Sequence, residues 1–513
     1  MDLKKYYLIN HIKLKIHQSK VVKKLINFFQ SNPLITYIFV YILIVYSKSL
    51  LDDFVAPQHV AILSTTHYED DKTVTILLNA HRHFDTLHPY VCISRNKTST
   101  KLSYALTVHA FHPISVCKWT AFISKCDVID NMEKLELSMH SDIINNALSL
   151  PIRKAYSKRG KVMSCFSPLF YNERWQLMIA TLEIFKELGV DKQIYYIQSM
   201  VHDVFQALDA YKKKGYVEIE PWSKINLGKE FELGYDVNHE LDWRNQASAH
   251  TDCFLKYKNA ADFIMIGDID DVLFPRMGRS YFEEFTYFSK IYPSAAGFIY
   301  DRYNTEVSAN KNVENFRMDN LLSSSIVLNE WEDGKYVVNT SRIDTAWLHW
   351  PGRIKYGYQM QTIPNEKNVM LHFRRWKIKE LINGTETLIE KMSKSKSSLF
   401  SMQIYDIIEK RMVDKIERNW RKNYQSVPEL RYLPKTMHYY TQIAKCYNKI
   451  FYSIDKTPTL CPGPIRCDIP EIPGLKCMVA HSKHFKTHFT KNNIILHYLD
   501  EILLQKTENG CTL

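Results

Sequence analysis

The chain lacks most of the short signatures that assign a function at sight. No G-x-G-x-x-G and no G-x-x-x-x-G-K-[ST] occurs in its 513 residues, which disfavours a dinucleotide-binding turn or a P-loop phosphate cradle. None of its ten cysteines stands in a Cys-x-x-Cys pair or at the Cys/His spacing of a zinc site. There is no internal repeat and no low-complexity tract, so a solenoid or a linker-like chain is excluded. No basic stripe with interleaved aromatics runs through it, and the net charge of +12 therefore does not argue for nucleic acid. Much of that excess sits in the first 24 residues, where Lys4, Lys5, Lys13, Lys15, Lys20, Lys23 and Lys24 face a single acid, Asp2.

What is present begins with an uncharged stretch, Leu25 to Ser47, apolar from Leu34 to Tyr46 apart from Thr36 and the tyrosine hydroxyls. Its length suits a membrane-crossing helix, and lysines before it predict a cytoplasmic amino end with the bulk of the chain luminal or extracellular. No small-residue cleavage site follows it. An amphipathic or core helix is the competing reading, since Asn27, Gln30, Ser31 and Asn32 weaken its first part. Sequons at Asn96, Asn339 and Asn383 fit a secretory chain. So do the cysteines, with Cys92, Cys117, Cys126 and Cys165 towards the beginning and Cys461, Cys467 and Cys477 towards the end. Their pairing is not legible from spacing.

Three rhythms divide the rest. A stem at 48–58 leads into a β-rich subdomain at 59–150, with strands expected at 60–65, 73–79, 90–94, 103–111 and 119–124. Its histidines (His81, His83, His88, His109 and His112) are too irregularly spaced for a metal site. From 155 to 420, β and α patterns alternate: strands at 161–167, 193–198, 217–220 and 263–266, and helices at 172–188, 203–214 and 243–258. That alternation predicts a mostly parallel central sheet with right-handed crossovers. A charged amphipathic helix is expected at 399–420. The remaining 421–513 form an extension in which Pro458, Pro462, Pro464, Pro470 and Pro473 forbid long helices.

The stretch Phe263-Ile-Met-Ile-Gly-Asp-Ile-Asp-Asp271 organises the chemistry. A short apolar run bounded by polar residues reads as a buried parallel strand, and open α/β sheets bind ligands beyond the carboxyl ends of their strands. Carboxylates this close repel unless a cation lies among them, and oxygen ligands suit Mg2+ or Mn2+. An acidic turn capping the strand is the bland alternative. One functional reading makes Asp268 and Asp270 a DxD pair that holds a nucleoside diphosphate-sugar through a divalent ion, with His372 as a nitrogen ligand suited to Mn2+. Glu330, Glu332 and Asp333 are then the candidate bases for an acceptor hydroxyl. A second reading takes Asp268-Ile-Asp-Asp-Val-Leu273 as an aspartyl-phosphatase motif with Asp268 as nucleophile, but three βα units precede it where that motif opens its domain. A third is a non-catalytic glycan-binding ectodomain.

Several further segments occur together and in order: Cys165-Phe-Ser-Pro-Leu-Phe-Tyr-Asn-Glu-Arg-Trp-Gln176, Tyr195-Tyr-Ile-Gln-Ser199, Glu220-Pro-Trp222, Trp347-Leu-His-Trp-Pro-Gly352 and His372-Phe-Arg374. With Gly267-Asp-Ile-Asp-Asp271 they resemble glycosyltransferase family 92 over roughly residues 161–420. The resemblance implies a GT-A fold, a type II Golgi membrane protein and a DxD site using Mn2+ or Mg2+. It also implies inverting transfer of a hexose, galactose from UDP-galactose, to a glycan acceptor such as fucose on an N-glycan core. Asp268, Asp270 and His372 carry over as the metal set, with Phe373 where the family more often has tyrosine. Donor contacts are expected at Tyr171, Asn172, Glu173, Arg244, Asn245 and Asp271, where a cation and a helix amino end suit a diphosphate. Acceptor contacts are expected at Trp347, His349 and Trp350, whose flat faces suit sugar rings.

Overall fold

The computed structural model describes residues 58–512 except 85, 87–89, 114–115, 140–146, 228–232, 242–244, 383–384, 392–400, 404–406, 451–459 and 490–492. The basic tail at 1–24, the apolar span at 25–47 and all but the last stem residue lie outside the described residues, as do Arg244, Asn383 and His88. Among the described residues no helix is long and apolar enough to cross a membrane.

Eight strands come first: β1 (Gln58–Tyr68), β2 (Thr73–His81), β3 (Tyr90–Arg95), β4 (Thr100–His109), β5 (Trp119–Asp127), β6 (Lys134–Met139), β7 (Leu148–Leu150) and β8 (Arg153–Lys154). The alternating part follows as β9 (Val162–Leu169), α1 (Trp175–Glu187), β10 (Lys192–Ile197), β11 (Ser199–Val201), α2 (His202–Lys213), β12 (Val217–Pro221), α3 (Gln246–Tyr257) and β13 (Phe263–Gly267). Then come β14 (Asp271–Leu273), α4 (Tyr281–Ile291), β15 (Ala295–Asn310), α5 (Met318–Ser323), β16 (Ile326–Asn339), β17 (Ile343–Ala346) and β18 (Pro351–Ile354). The chain continues through β19 (Gln359–Thr362), β20 (Met370–Ile382), β21 (Thr385–Lys391) and β22 (Ser401–Gln403). It closes with α6 (Lys410–Ser426), α7 (Tyr440–Ile450), β23 (Cys477–Phe489) and β24 (Ile494–Thr507).

The central sheet runs β12-β10-β9-β13-β16-β15-β20-β14. Its first four strands are parallel, and every residue of β9, β10 and β13 is buried, as a sheet covered on both faces requires. Beyond β13 the sheet changes character. β16 joins it antiparallel, β15 pairs antiparallel with β16, and β20 runs parallel to β15. The expected mostly parallel sheet is therefore a mixed one. The reason lies in β15 and β16, of 16 and 14 residues, which are joined through the short α5 and turn back antiparallel to one another instead of continuing the parallel crossovers.

The second sheet runs β11-β23-β24-β1-β2-β5-β4-β3-β6-β7, so the strands from 58 to 150 are completed by strands from the far end of the chain. β24 lies parallel to β1 with Gln58 beside Ile494, and β23 pairs antiparallel with β11. Pro462, Pro464, Pro470 and Pro473 all lie between α7 and β23, leaving room for that helix before them and two long strands after them. The amphipathic helix expected at 399–420 forms at Lys410–Ser426. It buries Val413, Ile416 and Trp420, and the indole of Trp420 donates to the Phe316 carbonyl at 3.1 Å.

All ten cysteines are paired: Cys92–Cys126, Cys117–Cys461, Cys165–Cys253, Cys446–Cys467 and Cys477–Cys511. Cys117–Cys461 spans 344 positions and ties the segment before β5 of the second sheet to the C-terminal region. Closing so long a loop removes much freedom from the unfolded chain, so replacing both residues by serine should cost about 2–4 kcal/mol. A denaturant titration whose midpoint is unmoved in the Cys117→Ser/Cys461→Ser protein would contradict this.

Candidate functional site

The site begins where β13 ends. Gly267 closes the strand, Asp268 follows, and Asp271 opens β14, which pairs antiparallel with β20 so that Asp271 lies opposite His372. The Phe373 amide donates to the Asp270 carbonyl at 2.8 Å. This register, rather than proximity in sequence, brings the histidine to the acidic turn. β15 lies on the other side of β20 with Asn304 level with His372, and Arg302 of β15 lies opposite Glu332 of β16.

The three aspartates are not equivalent. The Asp268 Oδ1 accepts from Ser167 and from Gln246 Nε2 (2.9 Å), while its Oδ2 lies 3.1 Å from the buried Lys335 ammonium. Burial acts to raise its pKa, but Lys335, the Ser167 hydroxyl and Arg302 together hold it well below the usual carboxylate range. Asp270 Oδ2 lies 3.6 Å from His372 Nε2 and 3.7 Å from an Arg174 guanidinium nitrogen. Asp271 accepts from the Asp268 amide (2.9 Å) and from Arg302 (3.1 Å). His372 Nδ1 faces Glu332 at 3.3 Å. Burial acts to lower the imidazole pKa, but Asp270 and Glu332 raise it to about 9. Glu332 is in turn pulled far below its usual value, against the effect of burial, by His372, Arg374 and Arg302.

Apart from the buried Asp271, these residues line a cleft of ≈ 1170 Å³. Ser167 to Arg174 form one wall, β15, β16 and β20 another, and Tyr440, Ile443, Ala444 and Asn448 of α7 a third. The donor set fits a divalent ion: Asp270, Asp271 and His372 each offer a ligand atom, all within 4.8 Å of one another. Mixed carboxylate and imidazole ligation suits Mn2+. Asp268, its oxygens engaged by Ser167, Gln246 and Lys335, falls outside that set, and Asp271, expected as a donor contact, falls within it although the Asp268 amide and Arg302 already reach both its oxygens.

The other expected residues divide clearly. Tyr171, Asn172 and Glu173 line the cleft. The Glu173 carboxylate, however, accepts from the amides of His438, Tyr439 and Tyr440 at 2.5–2.8 Å, so it caps the amino end of α7. Tyr171 has φ +48°, held by its amide on Ser199 Oγ (2.8 Å) and by its ring against Tyr439. The Asn172 amide nitrogen is buried without a partner among the described residues. Asn245 accepts from Asn79 at 2.6 Å and belongs to a small separate cavity with Trp222, Ser223 and Leu241. Glu330, Glu332, Asp333 and His349 line the cleft, whereas Trp347 and Trp350 pack against each other outside its lining, their rings tilted by 40°. Burial, with Lys335 and Arg302 nearby, lowers the His349 pKa to about 3 and keeps that ring neutral.

Sequence reasoning missed Ser167, Arg174, Gln246, Arg302, Asn304 and Lys335. Lys335, 1% exposed inside β16, is the most telling of these, because buried lysines are rare unless paired, but its burial is not written in the sequence. Arg174 also packs its guanidinium over the Tyr440 ring, 4.6 Å from the centroid, at the amino end of α1.

Comparison with known proteins gives one consistent answer. The family model described as glycosyltransferase family 92 matches residues 160–429. A family 92 protein of Caenorhabditis elegans is 32% identical over 484 residues, covering 90% of this chain and 91% of its own length. Two others from the same organism are 28% and 30% identical, covering 85% and 78% of this chain and 89% and 79% of theirs. Among solved structures, a purple acid phosphatase from yellow lupin aligns at 13% identity and a TM-score of 0.13, over 37% of this chain and 36% of its own.

The raised histidine gives a signed pH dependence. A group whose folded pKa lies above its unfolded value stabilises fully below the unfolded value and loses that contribution as pH climbs through the folded one. For the metal-free protein, His372 should therefore contribute on the order of 3 kcal/mol below pH 6.5, lost by the time pH has risen past about 9. Thermal melts of chelator-treated wild-type and His372→Gln protein over that window should converge at the alkaline end, and parallel profiles would contradict the ion pairs.

Proposed function

The chain belongs to glycosyltransferase family 92 and is a glycosyltransferase, and from that premise we propose that it transfers a hexose, galactose, from a UDP-sugar to a glycan hydroxyl with inversion, using Mn2+ or Mg2+. The observation that carries the metal dependence is the cluster of Asp270, Asp271 and His372, of which Asp270 and His372 line the large cleft while Asp271 is buried. A divalent ion held there would neutralise the donor's two phosphates and stabilise the departing diphosphate. The four parallel strands leading to the acidic turn support a GT-A-like fold for this part of the chain.

The chain's own residues supply the remaining roles. Arg174 and the amino end of α1 face the same space as Asp270 and suit the donor's diphosphate. Lys335 pairs with Asp268 and Arg302 with Asp271, which fixes both carboxylates in place. Of the three candidate bases, Glu330 is held by Arg375 and Glu332 by His372, Arg302 and Arg374. Asp333 is exposed, lines the cleft and has no ion pair among the described residues, so it is the base we favour. It would take the proton as the acceptor oxygen bonds to the anomeric carbon and the bond to UDP breaks on the opposite face. The acceptor is a glycan, with fucose on an N-glycan core as the first candidate.

Five disulfides and sequons at Asn96 and Asn339 support a luminal setting. The uncharged stretch at 25–47 then serves as the Golgi membrane anchor. Phosphatase chemistry at Asp268 is disfavoured, since that carboxylate is engaged by Lys335, Ser167 and Gln246.

Mn2+-dependent release of UDP from UDP-galactose, without phosphate release from monoesters, is the expected activity. Asp270→Asn should lower it by about a hundredfold or more with an unchanged circular dichroism spectrum. Activity within twofold of wild type would reject the metal role.

A further inference from the structure

A second cavity, of ≈ 370 Å³, shares no lining residue with the cleft. The sheet sets its position. β10 and β12 are paired in parallel, with Ile197 level with Pro221, so Gln198 and Ser223 follow at the carboxyl ends of both strands and line this cavity. The cleft opens beyond the carboxyl ends of β9 and β13, along the same edge of the sheet. Open α/β sheets bind ligands outside that edge. β23 borders the cavity through Ala480, whose amide donates to the Gln198 carbonyl at 2.9 Å. Asn238 fixes the segment after β12, accepting from the Ile225 amide (2.9 Å) and donating to the Ile225 carbonyl (2.8 Å).

Two polar side chains of this wall have unmet capacity. Gln198 is only 7% exposed, and its side-chain amide makes no hydrogen bond among the described residues. Lys224 is half-buried and makes no ion pair among them; burial lowers its pKa, against the pull of Asp236. Leu227, Leu233 and Val479 supply apolar surface beside them. An amide that donates and accepts, an ammonium that donates and an apolar wall suit the hydroxyls and C–H groups of a sugar. A ligand hydroxyl would also remove the cost of leaving the buried amide unpartnered. Lys224 is matched by Asp236 in the same lining, so a ligand without net charge fits best. We propose that this cavity is an exosite for a neutral saccharide of the acceptor glycan, remote from the reacting hydroxyl, with Gln198 and Lys224 bonding its hydroxyls. This rests on the transferase reading above. Neighbouring strands lie about 5 Å apart, so an oligosaccharide running along the edge from β9 past β10 can occupy cleft and cavity together.

The test is calorimetric binding of a neutral, unfucosylated N-glycan core oligosaccharide to the full chain saturated with UDP and Mn2+. Transfer kinetics on the fucosylated form of that oligosaccharide and on methyl fucoside accompany it. Gln198→Leu and Lys224→Met should each weaken binding, and raise KM for the fucosylated oligosaccharide, by about fivefold or more. KM for methyl fucoside and for UDP-galactose should stay within about twofold of wild type. Lys224, half-buried, guards against misreading a misfolded Gln198 variant. No binding of the oligosaccharide to wild type, unchanged binding in both variants, or KM for methyl fucoside rising equally would overturn the exosite. A rise in KM for UDP-galactose would overturn it too, by giving the cavity to the donor's nucleoside. Oligosaccharide binding that depends on Gln198 and Lys224 in a protein without any transfer activity would uphold the exosite and overturn the transferase reading instead.

Discussion

The pairing of β14 with β20 is the constraint on which the site depends. A three-residue strand directly after the acidic turn lies against the strand that carries His372, and Asp271 and His372 meet as cross-strand neighbours. A slip of one residue would turn the histidine to the other face of the sheet and dismantle the donor set. The Phe373–Asp270 backbone bond and the buried Arg302–Asp271 pair resist such a slip. Within this frame a phenylalanine at 373 is ordinary: its side chain is fully buried in the core beneath the sheet, where a tyrosine hydroxyl would need a partner.

Charge balance follows from the same arrangement. Asp268, Asp270, Asp271, Glu330 and Glu332 converge on one region, and Lys335, Arg302, Arg174, Arg374 and Arg375 are interleaved with them. Lys335 and Arg302 hold Asp268 ionised, Arg374 and Arg302 help do the same for Glu332, and His372 between Asp270 and Glu332 closes the network. Removing a single member would leave a buried charge uncompensated, a larger loss than the net worth of any one pair. α7 adds a wall from the C-terminal region, fixed at its amino end by Glu173 and joined to the following segment through Cys446–Cys467.

The parallel half of the fold was legible because burial on both faces gives a clear sequence pattern: 161–167, 193–198, 217–220 and 263–266 each mark a strand within a few residues of its observed ends. The antiparallel half was much less so. β15 and β16 carry Arg302, Asn304, Glu306, Glu330 and Glu332, and polar residues inside a strand mask its period when they are there to build a site. The place of β23 and β24 in the sheet was invisible for another reason, since β24 joins β1 across more than 400 positions and β23 joins the distant β11, and no local pattern records either pairing. At the site, the acidic turn and His372 stood out in the sequence, but the division of labour among the three aspartates did not. That division is set by Lys335, Ser167 and Gln246, which are ordinary residues until the sheet brings them to Asp268.

The claim beneath all of this is that a divalent cation sits among Asp270, Asp271 and His372. Anomalous diffraction at the manganese edge, from crystals soaked with Mn2+ and UDP, tests it most directly. The account predicts a single strong peak within coordination distance of those three side chains and of the UDP phosphates. A peak elsewhere in the cleft, or UDP bound in full occupancy with no peak near His372, would contradict it.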